Sequence, residues 1–80
     1  SYIYNQSIKK HLENGVTILS PETTFIEPEV IIGRDVILEP LVSLRGNTVL
    51  AEGTHVSSFA YLNSYRSSIK EIISPYFKNS

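Results

Sequence analysis

An aliphatic residue recurs at every sixth position through the middle of the chain, and this period constrains the fold more than any other feature. The column is filled at seven places out of seven: Ile26, Ile32, Leu38, Leu44, Leu50, Val56 and Leu62. A second column of small or β-branched residues precedes the later members by two positions, namely Val30, Val36, Val42, Thr48, Thr54 and Ala60. Residues two apart point to the same side of a strand, so each six-residue unit, or hexad, predicts a short strand with two inward side chains.

Three hexads make one turn of a triangular parallel β-helix, and the seven hexads amount to about 2–3 coils. Polar and turn-prone runs such as Glu27-Pro28-Glu29 and Gly33-Arg34-Asp35 predict the corners. Each inward residue should lie over the one three hexads later, which predicts the core stacks Ile26–Leu44–Leu62, Ile32–Leu50 and Leu38–Val56. The alternative is a small antiparallel β-domain, but hairpins vary their spacing and do not explain two columns in strict register.

The N-terminal segment has a helical pattern instead. Tyr4, Ile8 and Leu12 recur at every fourth position, which places them on one face of a helix. The sequence Asn14-Gly15 follows, and glycine just past a helix end can adopt the left-handed conformation that closes it. We therefore predict a helix over residues 2–14.

The hexad register fails after Leu62, where Arg66 and Ser68 take the two column places. The sequence Ser68-Ile69-Lys70-Glu71 is typical of a capping box and predicts a short C-terminal helix that stops before Pro75. The competing interpretation is a further, irregular coil. The predicted organisation is a linker helix in residues 1–15, a hexapeptide-repeat β-helix in 16–67, and a C-terminal cap or truncated coil in 68–80.

A chain of 80 residues is short, and a small domain normally needs disulfides, a metal or a partner chain for stability. The chain contains no Cys and two His, which excludes disulfides and leaves too few imidazoles for a zinc site such as that of a β-helical carbonic anhydrase. We therefore expect a homo-oligomer. Because residue 1 is Ser rather than Met, we also expect the chain to be a segment excised from a longer one.

The charge and hydropathy patterns exclude two classes of partner. The formal net charge is −1, whereas a general nucleic-acid binder needs a basic patch, so we expect no nucleic acid. No apolar run approaches the roughly 20 residues of a membrane span, and we expect no membrane partner.

One junction in the sequence resembles a known family. The run His11-Leu12-Glu13-Asn14-Gly15-Val16-Thr17-Ile18 is similar to the region where a linker helix enters the β-helix of the bacterial bifunctional N-acetylglucosamine-1-phosphate uridyltransferase/glucosamine-1-phosphate acetyltransferase. Further on, Leu44-Arg45-Gly46-Asn47-Thr48-Val49 resembles the third and fourth hexads of that family. The resemblance covers about residues 8–62. It implies a left-handed, hexapeptide-repeat β-helix that assembles as a trimer. It also implies a cytoplasmic transferase, both acyltransferase and nucleotidyltransferase, of UDP-N-acetylglucosamine and cell-wall biosynthesis.

The same resemblance implies acetyl-CoA and Mg²⁺ as cofactors of the parent enzyme, but it carries over no catalytic residue. The family's Gly-rich uridyltransferase motif and its His-x-x-Tyr acetyltransferase pair have no match in this sequence. We therefore expect no cofactor in this chain and no activity from it alone. Two other functions stay open, a non-catalytic oligomerisation module and a hexapeptide-repeat acyltransferase with a different substrate.

Few side chains suggest chemistry of their own. His55 should point outward from a flat side, and as a general base it would need a partner carboxylate that the sequence does not identify. We expect His11 to be solvated on the helix. Arg34 and Arg45 fall at predicted corners, where a phosphate role is the less favoured interpretation. The carboxylates at corners are expected to be solvated: Glu22, Glu27, Glu29, Asp35 and Glu39.

The outward strand centres suggest a surface instead. Ile31 and Val49 should lie on one flat side, and Ile37 with His55 on another. Aliphatic side chains stacked on a flat side form a stripe that is unfavourable in water. We predict a subunit contact at Ile31 and Val49 or at Ile37.

Overall fold

The computed structural model describes residues 2–74 and 77–79, and it shows a solenoid of parallel strands preceded by one helix. The helix, α1, spans Tyr2–Glu13, which confirms the prediction of an N-terminal helix. Within the described residues, no helix has the length and apolar character needed to cross a lipid bilayer.

A tight turn ends α1 and starts the first coil. The N–H groups of Asn14 and Val16 both donate to the carbonyl of His11, each at 3.1 Å. Between them Gly15 has a φ of 86°, a left-handed conformation that costs glycine little. Ile8 is buried among the core residues, whereas the side chain of Tyr4 lies outside the described part of the chain.

Short strands follow α1 and form three parallel sheets, one on each side of the solenoid. The first sheet contains, in spatial order, β1 (Thr17–Ile18), β4 (Ile37–Leu38), β7 (His55–Val56) and β9 (Ile72–Ile73). The second sheet contains β2 (Phe25–Ile26), β5 (Ser43–Arg45), β8 (Tyr61–Asn63) and β10 (Phe77–Asn79). The third sheet contains β3 (Ile31–Ile32) and β6 (Val49–Leu50). The hexapeptide-repeat solenoid predicted from the sequence is confirmed.

The strand register places the aliphatic column in vertical stacks. Leu44 pairs with Ile26 on one side and with Leu62 on the other, so this stack runs through three coils. Ile32 pairs with Leu50, and Leu38 pairs with Val56. All seven aliphatic residues are buried. Each coil therefore provides the floor for the next one, as in other repeat proteins.

The small residues of the second column fill the core beside the corners. All six members are buried, including two threonines whose hydroxyl groups differ in their surroundings. The Thr48 hydroxyl donates to the Arg45 carbonyl at 2.7 Å and accepts the Tyr65 N–H at 3.1 Å. The Thr54 hydroxyl has no hydrogen-bond partner among the described residues. The Thr48 hydroxyl thus connects two coils, whereas the Thr54 side chain contributes packing alone.

The first coil is longer than the repeat and begins before the hexad column does. Thr17 pairs with Ile37, a separation of 20 residues instead of 18. A short 3-10 turn at Pro21–Thr23 accommodates the two additional residues at the corner. Val16 and Ile18 supply the same pair of buried side chains, two residues apart, as a hexad does.

The C-terminal helix predicted from Ser68 onward is not formed, and the competing interpretation of an irregular further coil is the correct one. Ile72 and Ile73 form β9, which pairs in parallel with His55 and Val56. The pairing buries Ile73 on Val56 and satisfies the backbone groups of β7, and these long-range gains override a local capping signal worth about 1 kcal/mol. Pro75 lies outside the described residues.

That last coil is shorter than the repeat. Arg66 bridges to Val49 and Ile72 pairs with His55, so both separations are 17 residues. Ser67 consequently follows Arg66 into a buried position, where its N–H donates to the Val49 carbonyl at 2.7 Å. The aliphatic column ends at Leu62 because the corner between β8 and Arg66 has lost one residue.

Candidate functional site

The outer surface of the first sheet carries a bonded pair of titratable side chains. His55 projects from β7, and Glu39 directly follows β4 on the neighbouring coil. The His55 Nε2 and Glu39 Oε2 atoms are 2.6 Å apart. The other carboxylate oxygen, Oε1, accepts the backbone N–H of Ser58 at 3.1 Å and its hydroxyl at 3.4 Å. Glu39 is therefore held from both oxygens, and it fixes the orientation of the imidazole.

These hydrogen bonds also change the acidity of the carboxyl group. The bond from His55 and, after it, the bond from the Ser58 backbone lower the pKa of Glu39. Both bonds favour the ionised carboxylate, which accepts them. The expectation that Glu39 is merely solvated was wrong, and the carboxylate partner of His55 that the sequence does not identify is Glu39.

The pair could have been found from the coil length. Glu39 and His55 are 16 residues apart, which is remote along the chain. In an 18-residue coil, however, residue 39 lies beside residue 57, and His55 stands two positions before it on the same outer surface. A search of the sequence for titratable residues of opposite charge about one coil length apart, rather than at helical spacings, would have identified Glu39 and His55 as a candidate pair.

An open groove of about 720 Å³ runs beside this pair. Its lining consists of apolar residues of the first sheet and charged residues of the adjoining corner: Asp35, Ile37, Gly53, His55, Lys70, Glu71 and Ile72. The Tyr65 hydroxyl donates to Glu71 Oε2 at 2.6 Å, so this carboxylate is also held in place. The groove thus presents an oriented imidazole and a lysine above an apolar floor, a combination that suits a small polar ligand.

The two arginines that could contact a phosphate both have partners within the chain. Arg34 makes a 3.2 Å ion pair with Glu52 at an exposed corner. Arg45 ends β5, and its guanidinium lies over the rings of Phe25 and Tyr61, at 4.3 and 5.3 Å from their centroids. Both guanidinium groups make contacts between coils.

His11 is buried, contrary to the expectation that it is solvated. It is 3% exposed, and its Nδ1 atom has no hydrogen-bond partner among the described residues. Burial and, to a lesser degree, the neighbouring Lys10 lower the pKa of His11. Helical periodicity could not reveal this, because the surface that covers His11 comes from the solenoid.

The residues predicted for subunit contact lie on two different sides. Ile31 and Val49 pair with each other on the third sheet, and Ile31 is 63% exposed. Ile37 is half-buried on the first sheet, beside His55. The first sheet also carries the groove, and Ile72 is 77% exposed there.

The described residues do not fit the two cofactors that the family resemblance implies. Mg²⁺ prefers carboxylate oxygens arranged in an octahedron. Within residues 2–74 and 77–79, no three His, Asp or Glu side chains converge on one point. The phosphates of acetyl-CoA need several cations, and among the described residues that line the groove Lys70 is the one lysine or arginine.

Curated proteins that match the sequence are described as the bifunctional protein GlmU. The Staphylococcus haemolyticus protein is 46% identical over 55 residues, which are 69% of this chain and 12% of that protein. The Listeria welshimeri protein is 50% identical over 48 residues, or 60% of this chain and 10% of that protein. The Alkaliphilus oremlandii protein is 59% identical over 44 residues, or 55% of this chain and 10% of that protein.

Proteins from three genera therefore confirm the family resemblance that was noted from the sequence. The chain spans about a tenth of the length of these relatives. No family model matches the sequence.

Proposed function

We propose that this chain is the oligomerising β-solenoid scaffold of an enzyme similar to GlmU. The parent enzyme would acetylate glucosamine-1-phosphate with acetyl-CoA and then transfer a uridylyl group with Mg²⁺, producing UDP-N-acetylglucosamine for the cell wall in the cytoplasm. The similarity to GlmU over more than half of the chain supports this assignment. The solenoid would bring parent chains together as a trimer, and its own residues would carry out no chemistry.

The single observation that carries the scaffold role is the apolar stripe on the third sheet. Ile31 and Val49 are adjacent in neighbouring coils, and 63% of Ile31 is exposed to water. Burying such a side chain contributes about 1.5–3 kcal/mol relative to leaving it exposed. A flat sheet that carries this stripe suits a partner sheet of the same kind, which favours a second copy of the chain over a small ligand.

The molar mass in solution tests this proposal. Light scattering after size-exclusion chromatography should give about three times the 9.0 kDa of one chain. The double change Ile31→Glu and Val49→Glu should reduce the mass to that of a monomer, because six carboxylates, two from each of the three chains, would have to be buried in the contact. A monomeric unchanged chain at micromolar concentration would contradict the proposal.

A matched control is available at another corner of the solenoid. Leu41 and Phe59 are also exposed apolar residues on successive coils, connected by the bond from the Phe59 N–H to the Leu41 carbonyl. Leu41→Glu together with Phe59→Glu adds the same charge to a different surface. This control variant should remain a trimer. If it dissociated instead, the subunit contact would lie at Leu41 and Phe59 rather than on the third sheet.

The absence of activity in the isolated chain is tested separately. Acetyl-CoA-dependent acetylation of glucosamine-1-phosphate should not exceed the rate without protein. A measurable rate that depends on the chain would refute the scaffold role.

One observation favours a second candidate, a hexapeptide-repeat acyltransferase with a different substrate. The 2.6 Å bond between Glu39 and His55 beside an open groove is the arrangement that a general base requires. In that role, His55 would accept a proton from the hydroxyl or amine that attacks an acyl thioester. Thiol release from acetyl-CoA in the presence of a panel of amino sugars would detect it. This candidate requires that His55→Ala abolish the signal while His11→Phe leaves it intact.

A further inference from the structure

His11 occupies the boundary between α1 and the solenoid. It lies in the last turn of the helix and is 3% exposed, and its backbone carbonyl accepts the N–H groups that turn the chain into the first coil. Its Nδ1 atom is fully covered and lacks a hydrogen-bond partner among the described residues. A buried imidazole without a partner for its ring nitrogen tolerates the neutral form far better than the cationic one.

In the part of the chain that the structure describes, no charged side chain bonds to the His11 imidazole to compensate a positive charge. The charged side chains on α1 and on the nearest corners are Lys9, Lys10, Glu13, Glu27, Glu29, Arg34 and Asp35. Glu27 accepts the Gly46 N–H and Arg34 pairs with Glu52, and none of the seven forms an ion pair or hydrogen bond with the imidazole of His11. The neighbouring Lys10 adds to burial in lowering the pKa of His11.

The helix that carries His11 can exist in a docked and an undocked state. α1 has 12 residues, and an isolated helix of that length is marginal in water. Among the described contacts of α1 with the first coil, Ile8 is buried in the core, and the Ser7 hydroxyl donates to the Ile26 carbonyl at 3.4 Å. Docking also buries His11, a group that can acquire a charge.

We propose that His11 is a protonation switch that controls the docking of α1 on the N-terminal end of the solenoid. The neutral imidazole is compatible with the docked helix, and protonation favours the undocked helix, in which the ring is hydrated. The stabilisation of the docked state is complete above the undocked pKa, near 6.5, and it is lost as the pH falls from there through the lowered pKa of the docked state. In that window the undocking constant rises by at most a factor of ten for each pH unit.

Amide hydrogen exchange of the whole chain, measured by NMR between pH 7.5 and 5 and corrected for intrinsic rates, tests the switch. The protection of α1 amides should fall by up to tenfold per pH unit below about pH 6.5, relative to the Leu44 amide in the central coil. His11→Phe cannot be charged, and it should remove this pH dependence. His55→Gln, which removes the other imidazole, should leave it unchanged.

A direct titration of the His11 imidazole tests the proposal even if α1 of the His11→Phe chain does not dock on the solenoid. The carbon-13 shift of the His11 ring in the folded chain should report a midpoint below 6.5. A midpoint at or above 6.5 would overturn the proposal. The proposal would also be overturned if α1 of the His11→Phe chain docks on the solenoid and its amides still lose protection at low pH, as those of the unchanged chain do.

Discussion

The carboxylate of Glu39 bridges two coils, because it binds the His55 ring at 2.6 Å with one oxygen and the Ser58 backbone N–H at 3.1 Å with the other. His55 lies on β7, and Ser58 lies in the corner that follows β7 on the next coil. The ionised carboxylate therefore ties β7 to the corner that follows it. This relationship predicts how the solenoid responds to acid.

Acid should weaken the solenoid through Glu39. Its pKa is lowered from an ordinary value of 4.5, so its contribution to the free energy of unfolding is present above that pH and is lost as the pH falls through the lowered pKa. Urea unfolding at a series of pH values from 7 to 3 measures this loss. Glu39→Gln should make the acid-dependent loss smaller, whereas Glu29→Gln at an exposed corner should not.

Gly33 should not tolerate a side chain. A Cβ atom at this position would lie 2.7 Å from the backbone nitrogen of Glu52 and 2.9 Å from its Cα atom. Because backbone atoms of the next coil cannot move aside as a flexible side chain can, Gly33→Ala should lower the free energy of unfolding by about 1–3 kcal/mol.

Glu52→Ala is the control for that change, since it removes the side chain of the same neighbour. It breaks only the exposed ion pair with Arg34 and should cost at most about 1 kcal/mol. Chemical denaturation measures both variants. Equal effects of the two changes would show that the backbone approach at Gly33 is not the cause.

Thr54 and Thr48 should respond in opposite ways to replacement by valine. Thr54→Val exchanges a buried hydroxyl without a recorded partner for a methyl group, so the free energy of unfolding should stay the same or rise by about 1 kcal/mol. Thr48→Val removes the bonds to the Arg45 carbonyl and from the Tyr65 N–H, and it should cost about 1–3 kcal/mol. Thermal and urea unfolding compare the pair, and a larger loss at Thr54 than at Thr48 would contradict this difference.

Arg45 should stabilise the second sheet through the aromatic rings on both sides of it. Its guanidinium is 4.3 Å from the Phe25 centroid and 5.3 Å from that of Tyr61, which are on the preceding and following coils. Arg45→Ala should lower the free energy of unfolding by about 1–2 kcal/mol. A double-mutant cycle with Phe25→Leu isolates the contact, and a coupling energy near zero would exclude it.

Much of the fold could be predicted from the spacing of side chains. The stack of Ile26, Leu44 and Leu62 follows from the six-residue period, because the side-chain direction alternates along a strand and the coil length is a multiple of that period. The N-terminal helix follows from its four-residue period in the same way. Both patterns arise from interactions between residues close in sequence or regular in spacing.

The last coil could not be predicted in this way, since its spacing departs from the repeat. Ile72 lies on His55 after 17 residues instead of 18, and the local sequence from Ser68 favours a helix. Only the exposed edge of β7 and the apolar surface of Val56 make the extended conformation preferable. A local pattern carries no information about that edge.

The sequence by itself determined which side chains of the hexads face the core, where the corners between those hexads turn and that a helix precedes the solenoid, because these depend on backbone periodicity and residue type. The tertiary structure alone decided the environment of His11 and the pairing of Glu39 with His55. The first depends on how α1 docks on the first coil, and the second on which outer positions of neighbouring coils coincide. Burial and charge pairing between distant residues are properties of the stacked coils, so they appear only when the coils are assembled.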